Sequence, residues 1–67
     1  MHYDTLKLKK ARLLLGWNIH HLATLANLDD STVGRVEIGK NRHPPTVKKL
    51  ADALGLPMEE VVIDDEE

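Results

Sequence analysis

The segment 18–36 constrains the fold of this chain most, because two short helical patterns there are separated by only three residues. Ala23 is a small residue in the first pattern, and Asn27 follows four residues later, where the chain must turn. Asn tolerates the left-handed backbone conformation better than most residues other than Gly. Apolar residues with the spacing of a buried helix face come next: Leu28, Val33 and Val36. The segment therefore predicts two helices joined by a tight turn.

Periodicity and capping residues predict five helices in all. Their approximate bounds are 5–15, 19–26, 30–38, 46–54 and 58–62. Asn18 and Asp29 are the expected N-caps of the second and third helices. The first helix should have a wide apolar face made of Leu6, Leu8, Ala11, Leu14 and Leu15. The stretch 61–63 is the one candidate for a short strand.

The length of 67 residues allows one domain, which we place at residues 1–63. A domain of this size buries only about 60% of its unfolded surface, so its stability is marginal. The chain has no cysteine, which fits the reducing cytoplasm and leaves association with a second chain as the source of extra stability. No signal peptide and no run of about 20 apolar residues is visible. We therefore expect a cytoplasmic protein with no membrane contact.

The central pair of helices has the spacing of a helix-turn-helix motif, which places its second helix in the major groove of DNA. The distribution of charge agrees with this interpretation. Residues 1–50 hold all nine Lys and Arg, whereas most of the acidic residues follow, including the acidic tail 64–67. A basic body with an acidic rear suits a face that binds double-stranded DNA.

Other kinds of chemistry find little support in the sequence. His20 and His21 are adjacent, so their side chains leave a helix about 100° apart and do not easily share one metal ion. No nucleophile stands beside a base, and no Gly-rich phosphate loop is present. We therefore expect no metal, no cofactor, no small-molecule effector and no enzymatic activity.

Most of the chain, residues 6–62, resembles the Cro/cI-type helix-turn-helix domains of phage repressors and bacterial XRE-like regulators. The matching positions are Leu22-Ala23, Asn27-Leu28, Ser31-Thr32-Val33, Arg35-Val36-Glu37, Gly39-Lys40, Pro44 or Pro45, and Leu50-Ala51-Asp52-Ala53-Leu54-Gly55-Leu56. The resemblance implies an all-α, compact five-helix, lambda-repressor-like domain. It also implies a transcriptional regulator, with repression as the favoured role, that binds a palindromic operator as a homodimer.

The resemblance assigns base reading to the start of the third helix, at Asp30, Ser31, Thr32 and Arg35. Ser31 and Arg35 are four residues apart and opposite the apolar face, so both are expected to point outward. Arg35 could bind guanine or a phosphate. Asp30 could accept a hydrogen bond from a base, or it could serve only as a carboxylate at a positive helix end.

Contacts to the DNA backbone are expected from two regions. The first is the start of the second helix, at Asn18, Ile19 and His20, where backbone N–H groups can bind a phosphate. The second is the loop after the third helix, at Lys40, Asn41, Arg42 and His43. In this family an arginine of the first helix often pairs with the glutamate that ends the third, which implies a structural ion pair between Arg12 and Glu37.

The dimer interface is expected at the last helix and the residues after it, at Pro57, Met58, Val62 and Ile63. Met58 and Val62 could instead pack on the first helix within one chain.

The chain also departs from the family pattern. Ile19 replaces a glutamine that contacts phosphate and braces a reading residue, and Asp30 replaces a usual Gln or Arg. Ile19, Gly34 and the Asp29-Asp30 pair favour an alternative function, a protein-interaction module of antitoxin-like or adaptor type with a protein partner.

Overall fold

The computed structural model of the chain describes residues 2–63, which form five α-helices and one two-stranded ribbon. The helices are α1 (Thr5–Leu14), α2 (Ile19–Ala26), α3 (Asp30–Glu37), α4 (Pro44–Leu54) and α5 (Met58–Val61). The strands are β1 (His2–Tyr3) and β2 (Val62–Ile63). The predicted five-helix architecture is confirmed, and the predicted tail at 64–67 lies outside the described residues.

Side-chain caps fix where the first three helices begin. The carboxylate or amide oxygen of the N-cap residue accepts a hydrogen bond from a backbone N–H three residues later, which satisfies a donor that the helix leaves free. The caps are Asp4, bonded to Lys7 at 3.1 Å, Asn18, bonded to His21 at 2.8 Å, and Asp29, bonded to Thr32 at 3.2 Å. Both N-caps predicted for α2 and α3 are confirmed.

The core lies where α2 packs against α3 and α4, and α1 also packs against α3 and α4. Its largest fully buried side chains come from every helix: Leu8, Leu22, Val33, Val36, Val47, Leu50 and Val61. Leucine and valine at intervals of three or four residues produce this arrangement, because such residues share one face of a helix. The buried faces of α2 and α3, the two helices of the central motif, therefore both pack in this core.

The predicted wide apolar face of α1 is wrong in part. Leu8 is fully buried, but Leu6 and Leu14 are 66% and 81% exposed. The buried stripe of the helix runs instead through Thr5, Leu8 and Arg12. Since a helix packed on one side can bury only one stripe, placing Arg12 inward turns the leucines at 6 and 14 toward solvent.

Four predicted helix bounds differ from the observed ones. Helices α1 and α3 end at Leu14 and Glu37, one residue before their predicted ends. Helix α4 begins at Pro44 rather than at residue 46, because proline in the first turn loses no intrahelical hydrogen bond. Helix α5 ends at Val61 because Val62 enters β2, where it pairs with Tyr3. The ribbon is antiparallel and also pairs His2 with Ile63, so it joins the two ends of the described chain.

Candidate nucleic-acid interface

The turn between α2 and α3 has the tight geometry that the sequence predicts. Asn27 adopts the left-handed conformation, with φ of 60° and ψ of 45°. The backbone N–H of Leu28 donates to the carbonyl of Ala23 at 2.9 Å, which closes the end of α2. Leu28 is partly buried against the core. These contacts fix the direction in which α3 leaves α2.

A buried ion pair holds the C-terminal end of α3. The guanidinium of Arg12 donates to the carboxylate of Glu37 twice, from Nε at 2.7 Å and from a terminal nitrogen at 3.0 Å. A third donor reaches the carbonyl oxygen of Trp17 at 2.7 Å. Both charged side chains are less than 10% exposed. The pair therefore joins α1, the loop after it and α3, so the structure brings together the two residues expected to form an ion pair.

The opposite side of α3 is open to solvent. Val33 and Val36 are fully buried, whereas Asp30, Ser31 and Arg35 are exposed. Ser31 and Arg35 are separated by about one helical turn, so their side chains leave the same side of the helix. This surface offers a carboxylate, a hydroxyl and a guanidinium, which together can accept and donate hydrogen bonds at the edges of bases.

Thr32 is the one predicted reading residue whose hydroxyl is already engaged. It donates to the Asp29 carboxylate at 2.6 Å, and its side chain is partly buried. Hydrogen bonds from the side chain and the backbone N–H of Thr32 lower the pKa of Asp29 from its ordinary value of 3.8. In this arrangement Thr32 completes the cap of α3 and stabilises its first turn.

The start of α2 offers backbone groups rather than side chains to a phosphate. Asn18 uses its side-chain oxygen to cap the helix, and Ile19 packs its side chain against the core. The first-turn N–H groups of Ile19 and His20 have no intrahelical acceptor, because a helix leaves its first donors free. Their partial positive charge favours an anion at this end of the helix.

His20 contacts Asp30 across the two helices of the motif. Its ring nitrogen Nδ1 lies 3.2 Å from one carboxylate oxygen and 3.3 Å from the other. The two side chains are 77% and 57% exposed. Sequence reasoning missed this pair, although its signal is simple: both residues stand in the first turn of consecutive helices that a tight turn joins.

The loop after α3 is ordered by backbone and side-chain hydrogen bonds. The N–H groups of Lys40 and Asn41 both donate to the carbonyl of Arg35, at 2.8 and 3.2 Å. The side-chain oxygen of Asn41 accepts from the N–H of His43 at 3.0 Å. Lys40, Arg42 and His43 are exposed. Basic side chains therefore stand directly beyond the end of the helix that carries the exposed reading surface.

The residues expected at a dimer interface have mixed surroundings within one chain. Pro57 is exposed, and Ile63 is 36% exposed. Met58 packs partly against the core, and Val62 is partly buried in the ribbon. Part of the apolar surface that the sequence left for a second chain is therefore already covered within the monomer.

Within residues 2–63, no three potential ligands converge on a metal site, and no ligand-sized cavity is present. No helix in this part of the chain is long and apolar enough to cross a membrane. The candidate site is the exposed polar surface formed by α2, α3 and the loop after α3.

Comparison with known proteins supports this description. A profile of the family described as Helix-turn-helix matches residues 8–61 of the chain. Among solved structures, the chain is similar to the restriction-modification controller protein C.AhdI from Aeromonas hydrophila, with 37% sequence identity and a TM-score of 0.76. This match covers 84% of this chain and 86% of that chain. A search of curated proteins gave no match. The fold class and the resemblance predicted from the sequence are confirmed.

Proposed function

The chain belongs to the helix-turn-helix family of XRE type and is a DNA-binding transcriptional regulator, and we propose that it represses transcription as a homodimer on a palindromic operator. The observation that carries the proposal is the contrast across α3. Its buried side is anchored in the core, while Asp30, Ser31 and Arg35 stand exposed on the other. An anchored helix with exposed polar side chains can read base edges without first becoming ordered.

In this proposal α3 lies in the major groove with its N-terminal end toward the bases. Ser31 and Arg35 contact base edges, and Arg35 donates to guanine or to a neighbouring phosphate. Asp30 accepts a hydrogen bond from a base amino group. Thr32 acts through the first turn of the helix, because its hydroxyl is bonded to Asp29 at 2.6 Å.

Contacts to the DNA backbone come from both sides of the reading helix. The free N–H groups of Ile19 and His20 bind one phosphate. The exposed side chains of Lys40, Arg42 and His43 bind others, with Asn41 holding the loop in shape through its bond to the N–H of His43. Each cation that neutralises a phosphate releases counterions, so binding weakens steeply with added salt.

The homodimer is proposed to form through the exposed Pro57 and Ile63 and the partly buried Met58 and Val62. A two-fold axis there would present two copies of α3 to half-sites about 34 Å apart. The likeness to a restriction-modification controller protein supports the regulatory role. The absence of cysteine fits action in the cytoplasm, where DNA and a reducing environment coincide.

The first test is selection from a random pool of short duplexes, followed by fluorescence anisotropy at several salt concentrations. A two-fold symmetric consensus, a steep dependence of the dissociation constant on salt and a stoichiometry of two chains per site would support the proposal. Reporter transcription that falls when the chain is added would support repression. A symmetric consensus bound by a single chain would contradict the homodimer.

A second candidate is an interaction module on the same fold, favoured by the exposed leucines of α1. Leu6, Leu13 and Leu14 on this helix are 66%, 56% and 81% exposed, and exposed apolar side chains that form a patch can mark a protein interaction site. The variant Arg35→Ala with Lys40→Ala distinguishes the two functions. A DNA-binding regulator loses affinity for DNA and keeps its melting temperature, whereas an interaction module loses nothing that involves DNA.

A further inference from the structure

We propose that the outer face of α1 is a docking surface for an acidic amphipathic helix of another protein, which can bind while α3 lies on DNA. The outer face is defined by five residues: Leu6, Lys9, Lys10, Leu13 and Leu14. The inference goes beyond the proposed function, because it adds a second binding surface to the one formed by α2, α3 and the loop after α3. It also stands without that function, since none of these five residues belongs to the candidate nucleic-acid interface.

Three leucines form an apolar stripe along the outer face of α1. Leu6, Leu13 and Leu14 are 66%, 56% and 81% exposed. Positions 6 and 13 are about two helical turns apart and position 14 adjoins them, so the stripe is about 12 Å long. Apolar side chains repeated at the spacing of helical turns are the anchors with which one amphipathic helix docks on an apolar surface.

The stripe is not used by the core of the monomer. The inner side of α1 carries the fully buried Leu8 and also Arg12, which is bonded to Glu37 at 2.7 Å. Because α1 is anchored through that side, the exposed leucines contribute little to the packing of the fold. A partner that covers them removes their apolar surface from water, and this removal favours association.

The charges of the outer face are positive. Lys10 lies along the stripe and Lys9 lies beside it, and α1 contains no acidic residue. Among the described residues, neither lysine has a carboxylate partner, whereas the neighbouring Lys7 is bonded to Glu60 at 3.0 Å. Apolar anchors beside two unpaired ammonium groups complement a surface that has an apolar centre and carboxylates at its rim. An amphipathic helix with leucines on one side and flanking glutamates offers that combination.

A second copy of this chain fits the outer face less well. A symmetric contact between two copies uses the same surface on both. Position 10 is midway between positions 6 and 14, so the two Lys10 side chains would face each other whether the helices ran parallel or antiparallel. Like charges brought together in this way oppose association. The face therefore favours a partner of opposite charge.

An anionic membrane is also a poorer match for the outer face. Basic amphipathic helices do bind such membranes, but they insert a large apolar face, whereas α1 exposes a stripe of three leucines. The chain carries a net charge of −2. Glu59 and Glu60 belong to α5, which packs against α1, and their carboxylates would be repelled by anionic lipid headgroups.

The outer face of α1 and the exposed surface of α3 lie on different sides of the molecule. Arg12 leaves the inner side of α1 and meets Glu37, which leaves the buried side of α3. Ser31 and Arg35 leave the opposite, exposed side of α3. A helix docked on α1 therefore does not cover the surface proposed to read DNA, so both partners can be bound at once.

The test uses the full chain labelled with ¹⁵N and a synthetic peptide of about 18 residues, with leucines along one helix face and glutamates on both sides of them. We expect chemical-shift changes at the backbone amides of residues 6–14 and a dissociation constant below about 1 mM. A peptide in which every glutamate is replaced by lysine should bind at least about tenfold more weakly. Equal binding of the two peptides, changes confined to other helices, or no change at about 1 mM peptide would overturn the inference.

Variants of the outer face separate its apolar and charged contributions. Leu6→Gln with Leu14→Gln keeps helix propensity, so it should retain the melting temperature and bind the acidic peptide at least about tenfold more weakly. Leu25→Gln is the matched control, since Leu25 is 52% exposed on α2, and it should bind like wild type. Lys9→Glu with Lys10→Glu should reverse the preference and select the lysine peptide.

Two further measurements test the other occupants. Shifts at residues 6–14 that depend on protein concentration without peptide would assign the face to a second copy. Cosedimentation with phosphatidylglycerol vesicles that is lost in the double leucine variant would assign it to a membrane. Either result would overturn the inference.

A last measurement adds the selected DNA duplex. The chain bound to this duplex should bind the acidic peptide with a dissociation constant within about twofold of that of the free chain. Displacement of the duplex by the peptide would overturn simultaneous binding. If no duplex is selected, the proposed function fails, whereas the peptide measurements still decide this inference.

Discussion

The two ends of α3 carry carboxylates in opposite surroundings. At the C-terminal end Glu37 is buried and receives two hydrogen bonds from Arg12, at 2.7 and 3.0 Å. At the N-terminal end Asp29 and Asp30 are exposed and contact side chains that water also reaches. The two ends of this eight-residue helix therefore have different roles. The C-terminal end is anchored in the core, and the N-terminal end exposes polar groups that a partner can contact.

The largest expected effect comes from the buried end. Glu37→Ala leaves the Arg12 charge buried without its partner, which typically costs about 3–5 kcal/mol of the free energy of unfolding. For a chain of this size that is a large share of the total, so urea denaturation should show a mostly unfolded protein near neutral pH.

A matched control separates loss of the pair from loss of one partner. Replacing both residues, Arg12→Met with Glu37→Leu, removes the stranded charge, so this variant should unfold at a higher urea concentration than Glu37→Ala. An unchanged melting temperature in Glu37→Ala would contradict the assignment of Glu37 as the anchor.

A substitution at the exposed N-terminal end of α3 should cause a smaller loss of stability that depends on pH. Asp29→Ala removes the cap of α3 and should lower the melting temperature by less than Glu37→Ala does. Because the pKa of Asp29 is lowered in the folded chain, its carboxylate stabilises the fold above its ordinary value of 3.8, and this stabilisation is lost as the pH falls through the folded pKa. The difference from wild type, measured by thermal unfolding, should therefore be full at pH 7 and shrink below pH 3.8. A constant difference at both pH values would refute the charge contribution.

The middle of α3 offers a change in the stabilising direction. Gly34 is in the helix, and a Cβ added there would meet nothing within 4 Å. Gly34→Ala should therefore raise the free energy of unfolding by about 0.5–1 kcal/mol, because alanine loses less backbone entropy in a helix. Chemical denaturation measures this change in the free energy of unfolding. A loss of stability would contradict the prediction, because it would mean that the added methyl group does not fit at position 34.

The smallest effect is expected at an exposed pair away from α3. Lys48 and Asp52 on α4 are bonded at 2.9 Å, but their side chains are 56% and 60% exposed. Lys48→Ala should change stability by about 0.5 kcal/mol or less, as exposed helix pairs do. A change comparable with that of Glu37→Ala would mean that burial does not explain the contrast between the two ends of α3.

Local chemistry explains which parts of the fold could be predicted from the sequence. Three predicted features depend only on residues within three or four positions of each other, and all three appear as expected. They are the caps at Asn18 and Asp29 and the left-handed turn at Asn27. The ribbon pairs residues from opposite ends of the described chain, so the sequence could mark residues 61–63 as a candidate strand but could not indicate its partner at His2 and Tyr3. The prediction that the exposed leucines of α1 belong to the core is wrong. Periodicity identifies apolar residues that share a face of a helix, but it cannot show which of two such faces is buried.

In the candidate site, too, features set by local geometry could be predicted and features set by packing could not. The outward direction of Ser31 and Arg35 follows from helix geometry once Val33 and Val36 are buried, so it could be predicted. The bond between Thr32 and Asp29 and the contact of His20 with Asp30 depend on side-chain rotamers and on the angle between α2 and α3. Those quantities are set by packing and are absent from residue spacing.

The ribbon of β1 and β2 also has a consequence for the order of folding. Its pairing of His2 with Ile63 closes a loop of nearly the whole described chain, and closing a long loop costs more entropy than joining two neighbouring helices. The contacts between α2 and α3 lie close together in sequence and can form early. The ribbon therefore forms among the last contacts, and its amide protons should exchange with solvent before those of α2 and α3 do.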